Sequence, residues 1–452
     1  MSAKSLRAGV VGSGPAGFYA AGPLLAVGHA VDMIERLPTP WGLVRLGVAP
    51  DHPNIKAVSR AFEKIAAMVG FRFLGNVEVG RDVSHDELVD LYDAVVYAYG
   101  AAGDRRLGIP GEDLRGSWAA TEFVAWYNGH PDYQHLELDL SGERAVVIGN
   151  GNVALDVARM LALTEEELAP TDTTDEAIAA ILGSGVREIL VLGRRGPVQA
   201  AWTTAELKEL GELAGADVVV GPAELELDEA SAAELAAGDH LLERNVRVLR
   251  EYTERAETGK ARRIVLHFRT SPTAILGDGK VEAIELTRND LVPDGKGSVR
   301  AVSTEDREVV PCDIVFRSVG YRGHAIPGAP FDDASGTMPN EGGRVVGEDG
   351  GPLAGVYCAG WIKRGPSGII GTNKKDATET IEALLADARA GAIGGRASGD
   401  VDALLAERGV EVVTYADWEA IDAAERAAGE EQGRPRVKLT SWDDLLAAAR
   451  RA

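Results

Sequence analysis

Two glycine-rich turns of the same type occur far apart in this 452-residue sequence. The first is Gly12-Ser13-Gly14-Pro15-Ala16-Gly17, and the second is Gly149-Asn150-Gly151-Asn152-Val153-Ala154. Each follows a short apolar run and precedes a helical pattern, which is the context expected of a dinucleotide-binding motif. The pair predicts an α/β protein with two Rossmann-like dinucleotide-binding domains. Two such sites in one chain also suggest transfer from one cofactor to another.

The first motif has each element of such a site. Gly12 allows the tight turn, Gly14 the close approach of backbone to a pyrophosphate, and Gly17 the packing of helix on strand. A second apolar strand, Ala30 to Ile34, ends in Glu35, where a carboxylate binds the ribose hydroxyls of adenosine. The alternative is a glycine-rich turn without a ligand, which this complete pattern disfavours.

The second motif leads to a strand with a different end. Ala154 replaces the third glycine, which is an allowed variant. After an acidic insertion, Glu165 to Glu176, the next predicted strand runs from Glu188 to Arg195 and so ends in two arginines, Arg194 and Arg195. Two guanidinium groups at this point predict binding of a ribose 2′-phosphate, and so NADP over NAD. A solvated basic turn is the alternative.

Composition limits the classes of partner. The chain carries 47 Lys and Arg against 70 Asp and Glu, for a net charge of −23, which argues against nucleic acid and anionic membranes. No apolar stretch reaches the roughly eighteen residues of a membrane span, and no secretory signal is visible, so we expect a cytoplasmic protein without an integral membrane segment. Cys312 and Cys358 form no CxxC pair, and no metal-ligand motif occurs. We therefore expect neither disulfide chemistry nor a protein-bound metal.

Chain order predicts a discontinuous first domain. We expect residues 1–102 and 322–400 to form it, residues 103–321 to form the second domain, and residues 401–452 to be a C-terminal extension that packs on the first domain or mediates self-association. Residues 71–79 are predicted to be strands. Arg263 to Arg269 and Val281 to Thr287 are predicted to pair as a hairpin.

Four longer strings resemble the adrenodoxin reductase family of ferredoxin–NADP+ reductases, including its bacterial members. They are Gly12 to Tyr19, Trp41 to Pro53, Gly193 to Thr203 and Gly360 to Lys375. Strings of this length are far more specific than a glycine motif alone, and the resemblance extends over nearly the whole chain.

The resemblance implies FAD in the first site and NADPH in the second. By match of motif, FAD would contact Ala16, Glu35, Leu43, Val79, Trp361, Gly368, Ile369 and Ile370, and NADP would contact Asn150, Gly151, Asn152, Val153, Arg194, Arg195 and Glu206. The alternative for Trp361 is an ordinary core aromatic.

The resemblance also implies an activity, in which NADPH reduces FAD and single electrons then pass to a ferredoxin-type iron–sulfur protein. His52 and Glu209 match family positions near the nicotinamide and the flavin. The alternative for His52 is a loop histidine that caps backbone beside Pro53, and for Glu209 a surface acid on a helix.

Ferredoxins are usually acidic, so the implied partner predicts a basic docking surface on this protein. We expect the protein itself to be a monomer or a weak homo-oligomer. The candidate cations are Arg45, Lys56, Arg60, Lys64, Arg187, Lys363, Arg364, Lys374 and Lys375. Such a set is also compatible with an ordinary solvated face.

Two other functions fit parts of the sequence. One is a different flavoenzyme with two dinucleotide sites, such as a glutamate synthase small subunit or a flavin monooxygenase. The former class would need ferredoxin-type cysteine clusters, which this sequence lacks. The other is a redox-inactive NADP-sensing or scaffold protein, which flavin content and reduction by NADPH would distinguish from a reductase.

Overall fold

The computed structural model describes residues 5–295, 298–368, 370–395 and 397–451. The chain divides into two compact units. Unit 1 contains Met1–Gly103 and Gly320–Ala452, and unit 2 contains Asp104–Val319. Unit 1 is therefore assembled from both ends of the chain.

Short strands and helices alternate along most of the sequence. The strands are β1 (Arg7–Val11), β2 (Ala30–Ile34), β3 (Phe71–Leu74), β4 (Ala94–Tyr97), β5 (Gly103–Asp104), β6 (Ser117–Ala119), β7 (Arg144–Ile148), β8 (Glu188–Leu192), β9 (Ala216–Val220), β10 (Arg262–His267), β11 (Thr270–Leu276), β12 (Ala283–Pro293), β13 (Val299–Ser303), β14 (Glu308–Pro311), β15 (Ile314–Arg317), β16 (Tyr321–Arg322), β17 (Asn340–Glu341), β18 (Arg344–Val346) and β19 (Pro352–Cys358). The helices are α1 (Pro15–Ala26), α2 (Leu43–Leu46), α3 (Pro53–Lys56), α4 (Ser59–Ala66), α5 (His85–Leu91), α6 (Ala120–Tyr127), α7 (Asn152–Met160), α8 (Glu165–Leu168), α9 (Asp175–Leu182), α10 (Thr204–Leu210), α11 (Glu229–Ala236), α12 (His240–Glu254), α13 (Trp361–Arg364), α14 (Ile370–Arg389), α15 (Val401–Glu407), α16 (Tyr415–Glu431) and α17 (Trp442–Ala449).

Unit 1 is built on a sheet of seven strands in the order β17-β18-β19-β4-β1-β2-β3. The five strands from β19 to β3 are parallel, and β17 and β18 add an antiparallel edge. Parallel strands are usually covered on both faces, which explains why β1 and β2 are almost continuously apolar. The carboxyl ends of β1, β2, β4 and β19 consequently lie along one edge of the sheet, where ligands bind in such folds.

The C-terminal residues belong to the core of unit 1. Trp418 of α16 and Leu445 of α17 are buried in the same apolar cluster as Val10 and Phe18. Leu405 of α15 is buried in a second cluster, with β-strand residues that include Val11 and Val95. Since Val10 and Val11 point to opposite faces of β1, the C-terminal helices contribute to the packing of both faces of the sheet.

Unit 2 contains a six-stranded parallel sheet in the order β6-β15-β7-β8-β10-β9. A smaller antiparallel sheet, β11 to β14, packs its apolar residues against one face of the parallel sheet, because Ile275 and Ile284 lie in one buried cluster with Val146 and Ile148. The fold is thus α/β, and the two glycine-rich motifs, called fingerprints below, follow β1 in unit 1 and β7 in unit 2.

Some predicted elements were wrong. The hairpin of residues 263–269 with 281–287 does not form, because β10 pairs in parallel with β8 and β9, whereas β12 pairs antiparallel with β11. The predicted strand region 71–79 contains strand only as far as Leu74. The acidic insertion, Glu165 to Glu176, contains α8 and the start of α9, for which no structure was predicted. Within the described ranges, no helix has the length and apolar content that a membrane span requires.

Candidate dinucleotide-binding sites

The first fingerprint forms the turn between β1 and α1. Gly12 has φ +101°, and a Cβ added there would lie 2.6 Å from the Cα of Tyr99 on the strand-end segment after β4. At Gly17 an added Cβ would lie 2.0 Å from the carbonyl oxygen of Gly12. Both positions therefore require glycine for packing.

Gly14 is different, because an added Cβ there would meet no described atom within 4 Å. It is the N-cap of α1, and none of the side chains that the structure describes caps this end of the helix. The space beside Gly14 at the N-terminus of α1 is therefore open, and an open helix N-terminus is suited to binding phosphate. Ala16 is buried on the following turn.

Glu35 follows β2 and its carboxylate reaches the same turn. One oxygen accepts hydrogen bonds from the backbone N–H of Ser13 at 3.0 Å and from its hydroxyl at 2.7 Å. The other accepts from the N–H of Leu37 at 3.1 Å. The side chain is only partly buried, so the carboxylate is held beside the fingerprint and is accessible to a ribose.

The segment Trp41 to Leu43 lies directly on the fingerprint. The N–H of Trp41 donates to the carbonyl of Ser13 at 3.0 Å, and a Cβ added to Gly42 would lie 3.0 Å from the Cα of Gly14. Leu43 begins α2 and its side chain is exposed, which places an apolar group next to the open position. The sequence had not indicated Gly42 as part of the site.

A second glycine-rich segment meets α1 from the end of β19. A Cβ on Gly360 would lie 2.6 Å from the Cβ of Ala16, and the N–H of Gly360 donates to the Asp376 carboxylate at 2.5 Å. The adjacent Trp361 has a buried indole Nε1–H with no hydrogen-bond partner among the described residues. A buried donor without a partner is costly, which is consistent with a ligand acceptor at this point.

The segment after Trp361 leads into α14. Gly368 has φ +81°, and Ile370 begins the helix. An added Cβ at Gly371 would meet no described atom within 4 Å, so backbone is open here as it is at Gly14. Ile369 was also predicted to bind FAD, and it lies outside the described residues.

Two further predicted residues of unit 1 occupy loops. Val79 lies in the loop after β3, where the N–H of Val77 donates to the carbonyl of Glu35 at 2.9 Å. His52 is buried at the N-cap of α3, and its N–H donates to the carbonyl of Ala49 at 3.0 Å. The loop thus connects Val79 to the Glu35 end of β2, while the hydrogen bond of the His52 backbone is local.

The second fingerprint repeats this geometry between β7 and α7. Gly149 has φ +138°, and an added Cβ would lie 2.1 Å from the carbonyl oxygen of Ser318. Gly151 is the N-cap of α7, with no described atom within 4 Å of an added Cβ. The buried amide nitrogen of Asn150 lacks a partner among the residues that the structure describes. An open helix N-terminus and an unsatisfied donor again fit a bound phosphate group.

Arg194 and Arg195 lie beyond the carboxyl end of β8, with Arg194 exposed and Arg195 partly buried. Their backbone carbonyls accept hydrogen bonds from neighbouring segments. Asn289 Nδ2 of β12 donates to the carbonyl of Arg194 at 2.8 Å, and the N–H of Arg269, between β10 and β11, donates to that of Arg195 at 2.9 Å. The two guanidinium groups are therefore presented from a rigid backbone, which suits recognition of a dianionic phosphate.

Helix α10 adjoins this fingerprint through its first residues. The Asn152 side-chain oxygen accepts from the N–H of Thr203, the N-cap of α10, at 2.8 Å. Glu206 and Glu209 are three residues apart on this helix and share a face. Val153 lies in the first turn of α7. The structure thus brings the predicted Glu206 to the same region as Asn152.

The two cysteines occupy separate units and both are buried. Burial raises the pKa of the Cys312 thiol and of the Cys358 thiol to about 12. Since the thiolate is the nucleophile in thiol–disulfide exchange, neither cysteine is suited to redox chemistry at neutral pH.

Comparison with known proteins identifies the relatives. A family model described as pyridine nucleotide-disulphide oxidoreductase matches residues 7–190. The chain is 53% identical to the NADPH-ferredoxin reductase FprA of Mycobacterium tuberculosis over 97% of each protein. It is 42% identical to the mitochondrial NADPH:adrenodoxin oxidoreductase of Arabidopsis thaliana, over 99% of this chain and 96% of that protein.

The chain belongs to the adrenodoxin reductase family of ferredoxin–NADP+ reductases. A solved structure of M. tuberculosis FprA in complex with NADPH superimposes with a TM-score of 0.93, at 51% identity over 99% of this chain and 100% of that one. The two dinucleotide-binding domains of the fold are therefore confirmed as those of the family.

Two candidate docking cations, Lys363 and Arg45, were wrong. The Lys363 side chain is only 10% exposed, and its ammonium group pairs with Asp376 at 2.9 Å. The Arg45 side chain is only 3% exposed and pairs with Glu425 inside unit 1, so it is not part of a docking surface. The Arg45 prediction failed because nothing in the local sequence indicates a partner so far along the chain. Asp376, which fixes Gly360, was also missed, although it directly follows the last family string.

Proposed function

We propose that the chain is an FAD-dependent NADPH–ferredoxin reductase, which passes electrons from NADPH through FAD to a ferredoxin-type iron–sulfur protein. The observation that carries the proposal is the presence of two open fingerprints whose second strands end differently, one in Glu35 and the other in Arg194 and Arg195. When bound, FAD supplies the conversion of a two-electron hydride donor into single electrons. The relatives named NADPH-ferredoxin reductase support the same activity.

In unit 1, the residues fit FAD. The open N-terminus of α1 at Gly14 would bind the pyrophosphate, and Glu35 would accept hydrogen bonds from the adenosine ribose. The unpartnered Nε1–H of Trp361 would donate to the cofactor, and the backbone at Gly368 and Ile370 would lie close to it. Ala16, Leu43 and Val79 would supply apolar contacts, and Ile369 belongs to the same proposal.

In unit 2, the residues fit NADPH. Gly151, Asn152 and Val153 at the start of α7 would bind its pyrophosphate, with the Asn150 amide as an additional donor. Arg194 and Arg195 would bind the 2′-phosphate. Glu206, near the Asn152 contact with α10, would complete the site.

His52 and Glu209 are proposed to orient the reacting rings. His52 is buried in the loop that follows the Trp41 segment, and Glu209 lies on the α10 face that carries Glu206. Hydride transfer itself requires no acid or base, so their role is to position the ring or to hold a proton at the imidazole or the carboxylate.

The partner is proposed to be an acidic ferredoxin that docks on cations exposed in unit 1. Arg60, Lys64, Lys374 and Lys375 are exposed, and they contrast with a net charge of −23. We expect the affinity for ferredoxin to fall steeply as salt is added. The free state of both cysteines supports a reducing compartment, the cytoplasm, and we propose a monomer or weak homo-oligomer there.

An anaerobic absorbance titration tests this function. The purified protein should contain a yellow flavin that bleaches with NADPH, bleaches much less with NADH, and regains its colour when an oxidised ferredoxin is added. Absence of flavin, or a flavin that NADPH does not bleach, would contradict the reductase function. That result would favour a redox-inactive NADP-sensing protein instead.

A further inference from the structure

The turn that covers the first fingerprint is conformationally strained. Trp41 has φ +81°, a left-handed backbone conformation that non-glycine residues rarely adopt. Through its N–H it is bonded to the carbonyl of Ser13, and the next residue, Gly42, lies against Gly14. Such a conformation persists only where the surrounding structure holds it in place.

Arg45 of α2, four residues after Trp41, belongs to a buried ion pair. Arg45 Nη1 and Nη2 donate to the two carboxylate oxygens of Glu425 on α16, at 2.8 and 2.6 Å. The two side chains are 3% and 0% exposed. Glu425 also accepts from Arg436 Nη1 at 3.1 Å and from the N–H of Leu439 at 2.9 Å. Burial alone would raise the pKa of Glu425, but Arg45 and Arg436 outweigh burial and hold that pKa below its ordinary value.

Aromatic contacts from α16 reinforce the pair. The Arg45 guanidinium lies over the ring of Trp418, 5.1 Å from its centroid. The rings of Trp418 and Trp41 meet edge to face, with their centroids 5.0 Å apart. Lys438 Nζ also donates to the carbonyl of Arg45 at 3.4 Å. Thus α16 contacts the side chains of Trp41 and Arg45, and the segment after α16 contacts the backbone of Arg45.

We infer that Arg45 and Glu425 form a clamp by which the C-terminal segment holds the turn of residues 41–43 on the FAD site. Glu425 is thereby a positioning residue for the flavin. This inference rests on the proposed function, because it assumes that FAD occupies the first fingerprint. An apolar pair of similar volume stabilises a core as well as a buried ion pair does, so stability alone does not account for charges at this place. A bidentate pair fixes orientation, which a turn next to a cofactor requires.

The test is the rate at which the purified holoenzyme releases FAD. We expect Glu425→Gln to release FAD at least tenfold faster than wild type and to alter the visible circular dichroism of the bound flavin, while the affinity for NADP+ is unchanged. The matched control is Glu411→Gln. It breaks another bidentate arginine pair of the C-terminal segment, with Arg450, that is solvent-exposed and does not touch the turn.

A double variant, Arg45→Met with Glu425→Leu, covers the case in which Glu425→Gln does not fold. It removes both charges of the pair, and Arg436, which loses Glu425, keeps its ion pair with Asp422, so the variant should fold. By our inference it should still release FAD faster than wild type. Wild-type release of FAD from the double variant would overturn the clamp, since the charges would then matter for folding alone. Equal acceleration in the Glu411→Gln control would also overturn it. If the wild-type protein binds no FAD, the proposed function is wrong. If the wild-type protein binds FAD and the variants release it at the wild-type rate, only the clamp is wrong.

Discussion

The two fingerprints of this chain share a turn geometry and differ in their surroundings. In each, the first glycine has a positive φ and packs on a neighbouring strand-end segment, and the second, Gly14 or Gly151, faces open space at a helix N-terminus. At the end of the next strand, however, unit 1 has the carboxylate of Glu35, whereas unit 2 has Arg194 and Arg195. The turn is thus suited to any dinucleotide, and the strand end selects which one binds.

The selecting side chains are also held differently. Glu35 is held through its carboxylate, which accepts three hydrogen bonds from Ser13 and Leu37. Arg194 and Arg195 are held through their backbone carbonyls, which leaves the guanidinium of Arg194 exposed. A fixed carboxylate suits a neutral ribose, and accessible cations suit a charged phosphate.

The largest expected effect is a loss of stability on substitution of Gly17, the third glycine of the first fingerprint. A methyl group on Gly17 would lie 2.0 Å from the backbone oxygen of Gly12, which no side-chain movement relieves. We expect Gly17→Ala to reduce the free energy of unfolding by about 3 kcal/mol or more, measured by urea denaturation. Gly14→Ala is the control, because its methyl group meets no described atom. It should keep stability within about 0.5 kcal/mol and lose FAD. Equal destabilisation by both variants would contradict the distinction between Gly17 as a packing glycine and Gly14 as an open position for the cofactor.

Removal of the basic pair should affect one coenzyme alone. Loss of charge-assisted hydrogen bonds in Arg194→Ala with Arg195→Ala should cost about 3 kcal/mol of NADPH binding, roughly a hundredfold rise in KM. The KM for NADH should change little. Arg187→Ala is a suitable control, since Arg187 is an exposed arginine just before the amino end of β8. Comparable losses for both coenzymes would show that the pair does not bind the 2′-phosphate.

Glu35 at the end of β2 should contribute less to cofactor affinity than the arginine pair does. In Glu35→Gln the side chain keeps its shape, but it replaces an accepting oxygen by a donor, so it no longer satisfies Ser13, Leu37 and a ribose together. We expect FAD affinity to fall by about 1.4 kcal/mol, or tenfold, in a fluorescence titration. Glu78→Gln, at a partly exposed glutamate of the same unit, should leave it unchanged. A loss of NADPH affinity that matched the loss of FAD affinity would count against a local role for Glu35.

Local patterns predicted the parts of this fold that depend on neighbouring residues. The bounds of β2 match the predicted strand, and β8 begins where predicted but ends at Leu192, before the predicted end at Arg195. Both turns have the predicted glycine roles, because apolar runs and positive-φ glycines are local signals. Strand β11 was missed because Pro272 interrupts its pattern and its pairing with β12 contains a register shift at that point. The partner of β10 was wrong because parallel pairing with β8 joins residues far apart in sequence.

The same limit applies to the candidate sites. Glu35 and the Arg194–Arg195 pair follow directly from their place after a strand. The burial of Arg45 depends on Glu425, 380 residues away, and neither side chain signals the other in the sequence. Likewise, the contact of Gly42 with Gly14 depends on a backbone conformation, φ +81° at Trp41, that no apolar pattern predicts.

The opposite substitution, alanine to glycine at the third position of the second fingerprint, should have the smallest effect on stability. Ala154 of the second fingerprint occupies the position of Gly17 in the first, and it is fully buried in the core of unit 2 without requiring glycine. Ala154→Gly should therefore cost only the greater backbone freedom of glycine in a helix, about 1 kcal/mol by urea denaturation. NADPH affinity should be unchanged, because the open position is Gly151 and not Ala154. If Ala154→Gly were as destabilising as Gly17→Ala, the third position would be equally constrained in both units. The contrast between them would then lie at the strand ends alone.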